Sequence, residues 1–193
     1  MIEYPLPLLG FSAFSGTGKT TLLTRLLPLL KQRGLRIAVV KHASHLFEID
    51  HPRKDSYELR KAGANQMLVS TRGRMALISE SDQRLPEPGL AQMLDYLDTR
   101  ELDLVLVEGF KNEAIYKIEL HRPALGKPLL CHTDPFIIAL ATDERVPAIP
   151  RNLTLLNLND PQEIAGFIDQ FMHRYGENGF DEQPSQRLQR QLC

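Results

Sequence analysis

Cysteine is nearly absent from this chain, which has only Cys131 and Cys193 among its 193 residues. They stand far apart with no C-x-x-C between them, which argues against a disulfide framework and a cysteine zinc site and points to a reducing cytoplasm. Long apolar runs are missing too. No stretch approaches the roughly eighteen uncharged apolar residues a membrane helix needs. The opening Met1-Ile2-Glu3-Tyr4-Pro5 has neither the basic stretch nor the apolar core of a secretory signal, so no membrane partner is expected. Neither sign of charge is in surplus, with 23 basic against 24 acidic residues and a formal net charge of −1. Without a basic footprint, nucleic acid is not an expected partner either. No internal repeat recurs at a fixed period.

What is present suits one globular core, since 42% of the residues are apolar and 24% charged. Residues 1–175 read as a single domain. From Gly176 to Cys193 the sequence is polar and without apolar periodicity, which reads as a mobile tail.

The most informative stretch is Ala13-Phe14-Ser15-Gly16-Thr17-Gly18-Lys19-Thr20. It follows an apolar run, Leu6 to Ser12, that reads as a buried strand, and it opens a leucine-rich helix beginning Thr21-Leu22-Leu23. Strand, glycine loop and helix in that order form a phosphate-binding loop. The glycines let successive backbone N–H groups converge on phosphate oxygens, and the helix turns its positive dipole end toward the same anion. Ser15, Gly16, Thr17, Gly18, Lys19, Thr20 and Thr21 are therefore the expected nucleotide contacts. Lys19 is expected on the β and γ phosphates and the Thr20 hydroxyl on Mg²⁺. The first position of the motif, usually Gly, is Ala13. Pro28 is expected to kink the helix and Gly34 to cap it.

Leu35 to Lys41 reads as the next strand, making a right-handed βαβ unit. Then come a short helix over Asp55 to Gly63, an antiparallel hairpin from Gln66 to Ser70 and Arg74 to Ser79, and a polar connection to Gly89. A helix is expected over Leu90 to Leu97. Strands are expected at Leu104 to Glu108, Tyr116 to His121, Phe136 to Ala141 and Thr154 to Leu158, and a last helix over Pro161 to Met172, capped by Asp160. This pattern predicts an α/β P-loop NTPase fold, a mostly parallel twisted sheet with helices on both faces and an appended antiparallel hairpin.

A phosphate loop needs a carboxylate at the carboxyl end of a neighbouring strand to hold Mg²⁺. Glu108 ends an apolar run, whereas Asp103 begins it, more than about 15 Å away at ~3.3 Å per residue. Lys19 and Glu108 are thus the expected catalytic pair, and Gly109 would let backbone approach phosphate. The loop from Lys41 to Asp55 is dense in ionisable groups; Asp50 or Asp55 could complete the metal shell, and Lys41, Arg53 or Lys54 could contact an anion, against the competing reading of a solvated charged loop. His42, His45 and His51 are a weaker candidate metal set. Asp143, just beyond a strand, could accept hydrogen bonds from N1 and N2 of guanine, although no Asn-Lys-x-Asp precedes it.

Taken together, Ser15-Gly16-Thr17-Gly18-Lys19-Thr20-Thr21-Leu22, Val40-Lys41-His42, the segment Lys54-Asp55-Ser56-Tyr57-Glu58-Leu59-Arg60-Lys61-Ala62-Gly63-Ala64, and Leu104-Val105-Leu106-Val107-Glu108-Gly109-Phe110-Lys111 resemble the MobB family of molybdopterin-guanine dinucleotide biosynthesis adapters. The resemblance spans roughly Leu6 to Met172. It implies a cytoplasmic homodimer that binds GTP with Mg²⁺, hydrolyses it weakly, and assists a molybdenum cofactor guanylyltransferase in joining GMP to molybdopterin, itself a possible second ligand. The residue before Lys54 is often Gly in that family and is Arg53 here. Phe110-Lys111-Asn112 and the hairpin are candidate partner surfaces. A small-molecule kinase using Asp50 or Asp55 as base is the alternative, and a metal-insertion GTPase built on the histidines a weaker one.

Overall fold

Strands covered on both faces lose the alternation of polar and apolar residues. Leu8–Ala13 is buried throughout and Leu104–Glu108 at its first four positions. The computed structural model describes residues 1–43, 49–80, 82, 84–151 and 153–178. In chain order the elements are β1 (Leu8–Ala13), α1 (Lys19–Gln32), β2 (Ile37–Lys41), α2 (Asp55–Lys61), β3 (Gln66–Thr71), β4 (Arg74–Ser79), α3 (Leu90–Leu94), β5 (Leu104–Glu108), β6 (Lys117–His121), β7 (Ile137–Thr142), β8 (Thr154–Asn157) and α4 (Pro161–Asn178). They divide into two compact units, Met1–His42 with Leu90–Cys193, and Ala43–Gly89.

The first unit is a six-stranded sheet in the order β2-β5-β1-β6-β7-β8, every neighbouring pair parallel. β5 lies between β1 and β2, so the first βαβ crossover spans a strand that arrives much later in the chain. On one face Leu9, Phe11, Leu104, Leu106, Ile118 and Leu120 meet Leu22, Leu23, Leu26 and Leu30 of α1 and Ile164, Ile168 and Phe171 of α4. On the other, Leu8, Val40, Val105 and Val107 meet Leu90 and Leu94 of α3. The expected parallel sheet with helices on both faces is the observed one.

The end of α1 and the start of α4 match the sequence reading, whereas the ends of α3 and α4 differ from it. α1 continues through Pro28, which lies on the exposed side with Thr24, so the carbonyl that loses its bond there faces solvent. The helix stops where Gly34 takes φ +86°, with Gly34 N–H donating to Lys31 O at 3.0 Å and Leu35 N–H to Leu30 O at 3.2 Å, a Schellman termination. α3 ends at Leu94, short of the expected Leu97, in a looser turn. α4 runs past Met172 to Asn178, because Tyr175 extends the apolar stripe and its ring lies 6.0 Å from that of Phe171. Helix therefore covers the first three residues of the expected tail; residues 179–193 lie outside the described ones. Asp160 caps α4 as expected, its Oδ1 accepting from Gln162 N–H at 2.9 Å.

In the second unit α2 is held to the hairpin by an ion pair from the buried Arg60 to Glu80, and Tyr57 lies under the cations of Arg60 and Lys61 at 5.4 and 5.3 Å. β3 and β4 form the expected antiparallel pair as a separate two-stranded sheet.

Candidate nucleotide site

At the carboxyl end of β1 the chain leaves the sheet through Phe14 and re-enters structure at Lys19. Between them Gly16 takes φ +84° and Gly18 φ +97°, conformations that L side chains rarely adopt. Thr17 is buried and fixes the turn, its Oγ1 donating to Phe14 O at 2.8 Å. Gly18 is the residue from which α1 starts, with Leu22 N–H donating to Gly18 O at 2.9 Å. Ser15, Gly16, Thr20 and Thr21 remain exposed, so the first turn of the helix is open to an anion.

Around this loop the charges converge. Parallel pairing sets Glu108 beside Phe11 of β1 on one side and Lys41 of β2 on the other. Glu108 Oε2 accepts from Lys41 Nζ at 3.1 Å while its own side chain is 12% exposed. Burial pulls the Lys19 ammonium below the ordinary lysine range; Lys111 and Lys41 push it the same way and Glu108 opposes them. Lys19, Lys41, Lys111 and Glu108 therefore share one electrostatic neighbourhood. Lys111 Nζ stands 5.2 Å from the centre of the Phe14 ring, over the phosphate loop. It arrives there through two successive left-handed residues, Gly109 at φ +89° and Phe110 at φ +49°. His42 lies against this turn, its N–H donating to Glu108 O at 2.9 Å and its ring 5.2 Å from that of Phe110.

The third side of the loop is held by Arg122, just beyond β6. Its Nε donates to Thr17 O at 3.0 Å, its Nη1 to the Asp143 carboxylate, and its Nη2 to Asn159 Oδ1 at 3.3 Å. Asp143 stands at the end of β7, as the sequence predicts. One of its oxygens is on Arg122, and Oδ1 is buried without a hydrogen-bond partner among the described residues.

Lys19, Glu108, Thr20 and Asp143 thus gather at the carboxyl edge of one sheet. Asp50 belongs to the second unit, where its Oδ1 accepts from His51 N–H at 2.9 Å and Ser56 Oγ at 3.1 Å. His45 lies outside the described residues, and among those described no three His, Cys, Asp or Glu form a metal-binding group. Sequence reading assigned no role to Arg122 or Asn159. The only local signal was a basic residue directly after an expected strand; that this strand ends beside the phosphate loop follows from the pairing of β6 with β1.

A strand, a loop of left-handed glycines, a lysine in the first helical turn and an acid on the adjacent parallel strand define a P-loop α/β protein. The family model for molybdopterin guanine dinucleotide synthesis protein B, MobB, matches residues 8–143. The chain is 45% identical over 177 residues to the molybdopterin-guanine dinucleotide biosynthesis adapter protein of Escherichia coli K12, covering 90% of this chain and 97% of that one. It is 40% identical to that of Haemophilus influenzae, covering 88% and 92%. A crystal structure of molybdopterin-guanine biosynthesis protein B matches with a TM-score of 0.64 at 28% identity over 85% of this chain and 99% of its own. Bacillus subtilis MobB matches in fold with a TM-score of 0.64 at 24% identity, over 86% of this chain and 98% of its own. The chain belongs to the MobB family. Among its described residues no helix is long and apolar enough to cross a membrane.

Proposed function

We propose that this protein is a cytoplasmic GTP-binding adapter, a weak GTPase at most, that assists a guanylyltransferase in attaching GMP to molybdopterin. The observation that carries the reading is the loop itself: left-handed Gly16 and Gly18 leave the first turn of α1 open, with Lys19 beside it and Glu108 one strand away. Thr20 Oγ and the Glu108 carboxylate are hard oxygen donors and fit Mg²⁺. When bound, that ion would neutralise charge on the β and γ phosphates. Lys19 would hold the same phosphates and Asp143 would read the guanine edge. Slow turnover is expected because, among the described residues, Arg122 beside the loop is engaged by Thr17 O, Asp143 and Asn159, and no residue is assigned to orient an attacking water. A homodimer is also proposed, built on the exposed apolar side of the hairpin.

The test is competitive binding of GTP and ATP, with and without Mg²⁺, to the wild-type chain and to Lys19→Ala. Magnesium-dependent binding that favours GTP and weakens roughly 10- to 100-fold in the variant is expected, from loss of a charged hydrogen bond. A preference for ATP would undercut the GTP reading, and phosphate transfer to a small-molecule acceptor would replace the adapter with a kinase.

A further inference from the structure

Arg122 is the one described side chain whose hydrogen bonds join the phosphate loop to the ends of both β7 and β8. A guanidinium presents donors in a planar fork, so a single Arg can hold several acceptors in fixed relation, which a lysine cannot. Here the fork spans Thr17 O, in the loop that would cradle the phosphates, the carboxylate of Asp143, and Asn159 Oδ1. Thr17 is buried and its side chain is spent on Phe14 O, so its carbonyl position sets the path of the loop. The space above Gly18 is bounded by the same group: a Cβ there would meet Arg122 Nη2 at 3.8 Å.

From this juxtaposition we infer that Arg122 is a positioning residue that couples Asp143 to the phosphate loop, so that the carboxylate governs triphosphate binding as well as recognition of the base. The inference rests on the nucleotide-site reading above and deepens it. Asp143 fixes the guanidinium through one oxygen, and the guanidinium fixes Thr17 O. Disturbing the carboxylate, by substitution or by a base that draws on it, then loosens the loop several residues away. A carboxylate that serves only as a base reader has no such effect on a ligand lacking a base.

Inorganic tripolyphosphate with Mg²⁺ is therefore the discriminating probe, measured calorimetrically on the full chain beside GTP, ITP and ATP. Asp143→Asn and Arg122→Gln are each expected to weaken tripolyphosphate binding at least about fivefold, the lower end of ordinary coupling between sites. The double variant is expected to lose no more than the worse single one, because both act through one contact. Thermal melting checks folding, and if Arg122→Gln does not fold, Asp143→Asn alone decides. Unchanged tripolyphosphate affinity in Asp143→Asn, with a loss confined to GTP over ITP and ATP, would overturn the coupling and leave the guanine reading standing. Tripolyphosphate binding that depends on Asp143 in a chain without GTP preference would instead sustain the coupling and remove the guanine reading.

Discussion

Gly109, which follows Glu108, takes a left-handed conformation in a crowded place. In sequence it reads as a glycine that lets backbone near a phosphate; in the structure a Cβ there would lie 2.7 Å from His42 Cβ, and its φ is +89°. Gly109→Ala combines a left-handed backbone, at about 1–2 kcal/mol, with a clash against a side chain that cannot withdraw, because His42 N–H is bonded to Glu108 O. The expected loss is ~2–4 kcal/mol in urea unfolding, with weaker Mg-GTP binding as Glu108 shifts. Gly166→Ala in α4 is the contrast: nothing lies within 4 Å of its added Cβ and its φ is ordinary, so a gain of up to ~1 kcal/mol is expected. Equal effects of the two would show that the His42 contact is not limiting. Gly16 and Gly18 were legible because the motif dictates their geometry. Arg53 was legible only as a departure: it sits at φ +74°, a conformation suited to the Gly that the resemblance leads one to expect there.

Elements were legible where one periodicity governed them and not where an aperiodic segment covered them. Lys117-Ile118-Glu119-Leu120-His121 alternates like a half-exposed strand, yet all five residues of β6 are buried. Ile118 and Leu120 face the main core, and the polar side is closed by residues 122–136, which contain two short 3-10 turns, Pro123–Leu125 and Leu130–His132. No sequence period announces such a cover. Its anchors are chemical. Glu119 accepts from the N–H groups of Leu130 and Cys131, both at 2.8 Å, and Lys117 Nζ meets Asp134 Oδ2 at 2.7 Å. Gly10 makes room for Lys117, whose Cγ would be 3.0 Å from an added Cβ. Burial first, then the Glu119 charge, pushes the Cys131 thiol up from 9.0 to about 12. Between those values the unfolded chain has released the proton and the folded one retains it, so stability falls as pH rises from about 9 to about 12, by at most ~1.4 kcal/mol per unit. Well below pH 9 the thiol is protonated in both states and adds no pH dependence. Urea midpoints from pH 8 to 10.5 should fall more steeply for wild type than for Cys131→Ala; parallel curves would mean that the thiol ionises freely in the folded protein.

At the scale of the molecule, strand identities and the P-loop fold were readable, but strand order was not. β1 and β2 are successive strands, and only long-range pairing with a strand some sixty-odd residues on puts β5 between them. The hairpin was readable as an appendage because its two runs are close in sequence; what it presents follows from register. Leu68 pairs with Leu77 and Ser70 with Met75, so Leu68, Leu77 and Met75 share one side, 61%, 45% and 70% exposed. The other side, with Met67, Ala76 and Ile78, is partly covered. Among the described residues this two-stranded sheet pairs with no further strand, and apolar exposure beside unpaired edges favours pairing with another chain. We take that chain to be a second copy of this one. Replacing Leu68, Met75 and Leu77 together with Thr keeps residues that suit strands and removes the apolar side. Sedimentation should show a dimer for wild type and a monomer for this triple variant, with Mg-GTP affinity unchanged, since the phosphate loop, Lys19 and Glu108 belong to the other unit. A variant that remains dimeric would move the interface off the hairpin, and Phe110-Lys111-Asn112 would be the next surface to substitute.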